Sequence, residues 1–193
     1  AEQDHLYKIS EIDKQKVMFQ RKKVIKKDTE LPLKLHLYQA FPNKLSKLEY
    51  IIQKCSEVGY SSITFFSSDH SQKLGVSEIK EERLKKISIE AIEQCGGNII
   101  PEMTFWEDIT DLKQWQKILS LVCDPTSEAK EISKIPMETY SDVHVFVGPE
   151  WGFSEDELLA CNKRGFHRIS LGERILRCET VGEVVWFFIS QKK

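Results

Sequence analysis

Two short stretches carry the residue types that could do chemistry. The first is Val147-Gly148-Pro149-Glu150-Trp151-Gly152, which follows the apolar run Val143, Val145, Phe146 and Val147. The second is Leu171-Gly172-Glu173-Arg174-Ile175-Leu176-Arg177-Cys178-Glu179-Thr180. Glycines in a turn let backbone N–H and C=O groups come close to a ligand. Arg174 and Arg177 offer planar, permanently charged forks for an anion. Glu179 offers a carboxylate that can orient an arginine or take a proton. Ile175 and Leu176 sit between charges and outside any periodic pattern, which suits the wall of a flat apolar pocket such as an adenine slot. A plainer reading stands beside this one: the first stretch is a tight turn that tolerates glycine and proline, and Glu179 and Thr180 cap the helix that follows.

Both stretches need rigid elements behind them. Ser154-Glu155-Asp156-Glu157 reads as a capping box and opens a helix that runs to Arg164 and stops at Gly165. A buried strand, Val143–Val147, therefore feeds a glycine turn and then a helix. A third strand-end loop, Val122-Cys123-Asp124-Pro125, follows the strand Lys117–Cys123. Phe166–Leu171 is a strand and Val181–Ser190 a terminal helix, apolar on all sides. Upstream, Leu31, Leu33, Leu35 and Leu37 alternate as in a strand. Leu45, Leu48, Ile51, Ile52 and Cys55 recur at helical spacing up to Gly59. Ser61–Phe66 is a strand, and Leu84, Ile87, Ala91 and Ile92 mark a helix closed by Gly96-Gly97. Asn98–Ile100 reads as a short strand and Phe105–Gln116 as helical. Strands alternating with helices predict an α/β fold with a mostly parallel sheet, whose ligands sit beyond the carboxyl ends of the strands.

The front end differs. Leu6–Asp28 is polar and basic with interleaved apolar residues, enough for two or three short strands. Its charges include Arg21, Lys22 and Lys23, and from charge alone they read as a solvated face. Asp28–Pro32 reads as a linker. The organisation expected is thus an N-terminal segment, 1–32, and a main domain, 33–193.

Composition narrows the function. The chain has 193 residues, 40% hydrophobic and 30% charged, with a formal net charge of -2. That excludes a globally basic nucleic-acid binder while leaving room for a local patch. No apolar run reaches the roughly 18 residues a membrane span needs. The five cysteines form no C-x-x-C pair and the five histidines have no ligand spacing, so no metal is expected and a reducing cytoplasm is. Neither dinucleotide nor P-loop glycine fingerprints are present.

Taken together, "FVGPEWGFSEDEL" and "SLGERILRCET" resemble the paired signature of the ribosomal RNA small subunit methyltransferase E family, in the SPOUT superfamily. "KLEYIIQKCSEVGYSSITFF" and "SIEAIEQCGGNIIPEM" are similar to the same family's earlier stretches. The resemblance implies a C-terminal trefoil knot, a homodimer and S-adenosylmethionine as cofactor. It also implies methylation of N3 of one uridine in 16S rRNA of the small ribosomal subunit. The cofactor residues it implies are Val122 or its neighbours, Val147, Gly148, Pro149, Glu150, Gly152, Leu171, Gly172, Ile175 and Leu176. Arg177 would stabilise the uracil anion, and Glu179 would hold that arginine or act as base. The segment before Leu33 would be the end of a PUA-like β-barrel, with Arg21, Lys22 and Lys23 facing RNA. The chain departs from the pattern at Trp151, where the family usually has Gly, at Cys178, where Thr is common, and at Gly97, where Arg is common. "SSDHSQ" lacks the usual Arg-Ser pair. These departures keep an alternative open: a SPOUT-like RNA-binding or ribosome-assembly protein with weak or no catalysis.

Overall fold

The computed structural model describes residues 4–25, 29–72, 78–106, 118–126, 129–137 and 139–191. The chain begins with an antiparallel hairpin of β1 (Asp4–Ile12) and β2 (Val17–Ile25), exposed along its length. Leu6 pairs with Lys23 and Tyr7 with Arg21, so Lys22 is the extra residue of a β-bulge.

The main domain is a seven-stranded sheet in the order β5-β4-β3-β8-β6-β9-β7, every neighbouring pair parallel. Its strands are β3 (Lys34–Ala40), β4 (Ser62–Phe66), β5 (Glu102–Trp106), β6 (Ile118–Cys123), β7 (Lys130–Glu131), β8 (Asp142–Val147) and β9 (His167–Ser170). Among the described residues four α-helices cover it: α1 (Leu45–Val58), α2 (Glu78–Cys95), α3 (Glu155–Lys163) and α4 (Cys178–Ser190). Leu35, Leu37, Val143 and Val145 face one side and pack with Leu48, Ile52, Leu84, Val181 and Val185 from α1, α2 and α4. Each fully buried side chain of this size contributes about 1.5–3 kcal/mol. Tyr38, Val122 and Phe146 face the other side and pack under Cys161 of α3 and Phe166. Tyr38 stacks on Phe146 at 4.5 Å, and Phe166 stacks on Phe146 at 4.9 Å.

Two junctions set where α4 starts. Gly59 ends α1 at φ 92, a left-handed conformation that glycine takes without strain. The Tyr60 hydroxyl then donates to the Gly182 carbonyl at 2.8 Å. A Cβ on Gly182 would lie 2.9 Å from the Cys55 sulfur, so α1 and α4 meet at a distance only glycine permits. The second junction is a crossing. β9 lies between β6 and β7, yet residues 124–129 join β6 directly to β7. Cys123 and Lys130 both align with Ile169, so the order of these strands in the sheet crosses their order in the chain.

Several expectations shift. The alternation from Leu31 becomes strand only at Lys34, while Leu31 and Leu33 pack at the core's edge. Asn98–Ile100 is not a strand: Asn98 N–H donates to Glu30, Pro101 has no N–H to give, and β5 begins at Glu102. Phe105 and Trp106 are not helical but close β5 against β4, and residues 107–117 lie outside the described residues. α4 starts at Cys178, three residues before the expected Val181. Its N-cap is Arg177, with no side-chain cap, so Glu179 and Thr180 belong to the first turn.

Candidate cofactor and substrate site

A cavity of about 350 Å³ opens at the carboxyl edge of the sheet, within the range of small-molecule sites. Three loops build it. Val147, Gly148, Pro149, Glu150 and Gly152 come from the turn after β8; Leu171, Gly172, Arg174, Ile175, Leu176 and Arg177 come from the loop after β9. The third loop, after β6, contributes Cys123, Asp124 and Pro125. Glu179 of α4 and Lys47 of α1 complete the wall.

The β8 turn is tied down on every side. Gln39 Nε2 donates to the Gly148 carbonyl at 3.3 Å, and Gly152 N–H to the Pro149 carbonyl at 2.9 Å. Glu150 accepts from Asn43 N–H at 3.0 Å and from the Lys47 ammonium at 2.8 Å. His70 Nδ1 lies 3.0 Å from the Gly152 carbonyl. Gly152 sits at φ 74. Gly148 is required for a different reason: a Cβ there would lie 3.1 Å from the backbone of Gly152 and Phe153. The capping box closes as expected, with Glu157 N–H on the Ser154 hydroxyl and Ser154 N–H on the Glu157 carboxylate. Glu157 is buried and also accepts from Asp69 N–H and the Ser68 hydroxyl, which joins the 66–72 loop to this turn.

The β9 loop is held more lightly. Ser170 and Gly172 bond to each other, and Gly172 takes φ 121 with open space around it. Arg174 and Arg177 are exposed, and Ile175 is 81% exposed. The start of the β6 loop is locked to β9. Asp124 accepts from Arg168 Nε at 2.7 Å and from the Thr126 hydroxyl at 2.8 Å, while Arg168 also donates to Thr126. Burial opposes ionisation of Asp124, but hydrogen bonds from Thr126 and Arg168 outweigh it and hold the carboxyl below its ordinary range.

Electrostatics centre on Lys47. Its ammonium is 2.8 Å from Glu150 and 3.6 Å from Glu179, bridging the β8 turn and α4. The hydrogen bond to Glu150 raises the Lys47 pKa. Burial pushes Glu150 up, and the Lys47 and Asn43 hydrogen bonds more than reverse this, so its carboxyl stays below the usual range. Burial pushes the Cys178 thiol up to about 12, so it is no thiolate nucleophile at neutral pH.

The structure gathers Val147, Gly148, Pro149, Glu150, Gly152, Leu171, Gly172, Ile175, Leu176, Arg177 and Glu179 around one cavity. Val122 is corrected: its side chain is fully buried in the α3-side core, and its neighbours Cys123, Asp124 and Pro125 line the cavity instead. The pairing of Glu179 with Arg177 is corrected too, since the cation beside Glu179 is Lys47. Arg21, Lys22 and Lys23 lie on the separate hairpin, outside the cavity. Lys47 and Asp124 were missed. Lys47 opens the stretch "KLEYIIQK" that resembles the family, but no site role was read for it, because a helix lysine reads as solvated surface.

Against known proteins, the RNA methyltransferase domain family matches residues 29–189. The chain is 35% identical to ribosomal RNA small subunit methyltransferase E of Buchnera aphidicola, over 92% of this chain and 71% of that one. It is 34% identical to the protein of that name from Mesomycoplasma hyopneumoniae, over 71% of this chain and 61% of that one. A Legionella pneumophila protein solved as a methyltransferase with its cofactor SAM superposes with a TM-score of 0.82 at 29% identity, covering 98% of this chain and 78% of that one. The same fold, at 24% identity and a TM-score of 0.84, occurs in the Neisseria gonorrhoeae ribosomal RNA small subunit methyltransferase E, covering 97% of this chain and 78% of that one. The match across most of the chain, on a parallel α/β sheet whose glycine turn and arginine loop share one cavity, places this chain in the ribosomal RNA small subunit methyltransferase E family.

Proposed function

We propose that the cavity holds S-adenosylmethionine and that Arg177 and its loop present N3 of one 16S rRNA uridine to it. The observation that carries this reading is the convergence of the glycine turn and the arginine loop on one cavity. At its rim Arg177 has no side-chain partner among the described residues. The class of reaction, S-adenosylmethionine-dependent methylation of rRNA, is that of the family.

The residues present fit the cofactor's chemistry. Val147, Leu171, Leu176 and Val181 give an apolar slot for an adenine ring. Gly148 and Gly172 carry no side chain, so a ligand can come close to the backbone beside it. Glu150 and Glu179 offer carboxylates beside the Lys47 ammonium, so the cavity can face both the cationic and the carboxylate groups of the cofactor. When bound, S-adenosylmethionine supplies a methyl group already activated for transfer. Uracil N3 carries a proton, and its lone pair is free only once that proton leaves. The resulting charge spreads over the two ring oxygens, which a guanidinium fork such as Arg177 can face. The positive end of α4, whose first turn follows Arg177, adds to that stabilisation. Glu179, with Lys47 close by and Cys178 donating to it, is the carboxylate we assign to proton handling.

The same reading includes a trefoil knot, supported by the place of β9 between β6 and β7 in the sheet. It includes a homodimer, supported by Phe187, which α4 leaves exposed while Val185 and Ile189 are buried. The hairpin is read as part of a PUA-like barrel, supported by exposed Leu6, Ile9 and Phe19, with Arg21, Lys22 and Lys23 toward RNA. The cell compartment is the cytoplasm, where ribosomes are built. Tritium from labelled cofactor should enter 30S particles lacking the modification and return as 3-methyluridine after digestion. Cofactor binding without transfer would leave the RNA-binding or assembly alternative, and no cofactor binding by calorimetry would remove the reading. A monomeric mass by light scattering at micromolar concentration would remove the homodimer.

A further inference from the structure

Trp151 occupies an unusual place. Its neighbours Glu150 and Gly152 line the cavity, while its own side chain is 84% exposed. A tryptophan carries a large apolar face, and leaving it in water forgoes the stabilisation of burial. The turn itself does not explain the exposure by looseness. Both flanks of Trp151 are anchored, Glu150 by Asn43 and Lys47 and Gly152 by Pro149 and His70. Two residues on, Phe153 is tucked in and lies parallel to Phe66 at 6.3 Å. The turn thus presents one aromatic ring outward from a rigid base beside the cavity.

We infer that Trp151 is a stacking platform for an unpaired RNA base next to the target uridine. This rests on the proposed function. N3 lies on the pairing edge of uracil, so the reacting base must be unpaired and out of its stack, which leaves its neighbour short of a stacking partner. An exposed indole supplies that partner without regard to base identity. Charge favours a base rather than a phosphate at this point. The first turn of α3, just past Trp151, exposes Glu155 and Asp156, which repel phosphate. Arg174, on the other loop, is exposed and its side chain has no partner among the described residues. The strand's backbone therefore tracks the arginine loop, and its bases turn toward Trp151.

The test compares wild type, Trp151→Phe and Trp151→Ala on 30S particles lacking the modification. Trp151→Ala should raise KM for the particles by about 5- to 150-fold, the range of losing one base–aromatic stack. Trp151→Phe should recover most of that loss, and calorimetry should find cofactor affinity retained in both variants. An unchanged KM for Trp151→Ala, with an active wild type, overturns the platform alone. Equal loss of cofactor affinity would make Trp151 part of the cofactor site and overturn it as well. So would a fall in molar mass by light scattering, which would give the ring to a second copy of the chain. An inactive wild type that binds cofactor overturns the proposed reaction itself.

Discussion

The two loops that face each other across the cavity are built in opposite ways. The β8 turn is bonded to β3, to α1, to the 66–72 loop and to its own helix cap. The β9 loop is bonded to itself through Ser170 and Gly172 and exposes Arg174, Ile175 and Arg177. A site that must bind a small cofactor gains from a wall that needs no reordering, because ordering costs affinity. A site that must admit a large RNA gains from charges that are not already committed. The difference therefore separates two tasks: one loop holds a shape and the other offers free groups.

The largest expected effect tests the free side. Arg177→Ala should slow single-turnover methylation by about 10²- to 10³-fold, the usual loss when one donor to a developing anion is removed. Cofactor affinity and melting temperature should change little, because the Arg177 side chain bonds no neighbour among the described residues. Lysine should rescue poorly, since a point charge does not copy a planar fork. A normal rate with a lowered melting temperature would make Arg177 structural and erase the contrast between the loops.

The next effect compares one glycine from each loop. Gly148→Ala and Gly172→Val should each weaken cofactor binding at least about tenfold, worth about 1.4 kcal/mol. Their second signatures should differ. Gly148→Ala drives a Cβ to 3.1 Å from the backbone of Gly152 and Phe153, so it should also lower the melting temperature. Gly172→Val has open space around it and strains only its own φ of 121, so the fold should hold. Calorimetry with thermal melts on both variants checks this, and equal melting losses would mean the two loops are equally rigid.

The smallest effect concerns pH. The Glu150 carboxyl has a folded pKa below its ordinary 4.5, so its link to Lys47 stabilises the fold above that value. The contribution is lost as pH falls through the lowered folded pKa. Wild type should melt above Glu150→Gln by a constant margin from neutral pH down to about 4.5, and the margin should shrink below that. Because both groups are partly exposed, the pair is worth about 0–1 kcal/mol. A margin that grows on acidification would reverse the sign and remove the pair as a stabiliser.

What the sequence disclosed follows the range of the forces involved. The Ser154 box and the Gly59 stop were readable because both are settled within a few residues. Arg177 and the paired loops were readable through resemblance. Val122 was misplaced because β6 is buried on both faces, so hydrophobicity cannot say which side chains turn toward the cavity. Its neighbour Cys123 takes that position. Phe105 and Trp106 looked helical beside their polar followers, and pairing with Phe65 and Phe66 of β4 decided otherwise. Lys47 fell in a stretch that resembles the family, but its partners could not be read, since both are more than a hundred residues away in sequence.

The crossing at β9 has a consequence for the order in which the chain can be made. β9 lies inside the sheet, between two strands that leave the ribosome before it. β3, β4 and β5 can pair as soon as they emerge, and α1 can cover them. β7 cannot take its place until His167–Ser170 has been synthesised and seated. Asp124, Thr126 and Arg168 can lock only after that event. The cavity at the sheet's carboxyl edge thus forms last in biosynthesis, from long-range contacts that are slow to find one another. A nascent chain stalled before Arg168 would carry a partly formed sheet and no binding site.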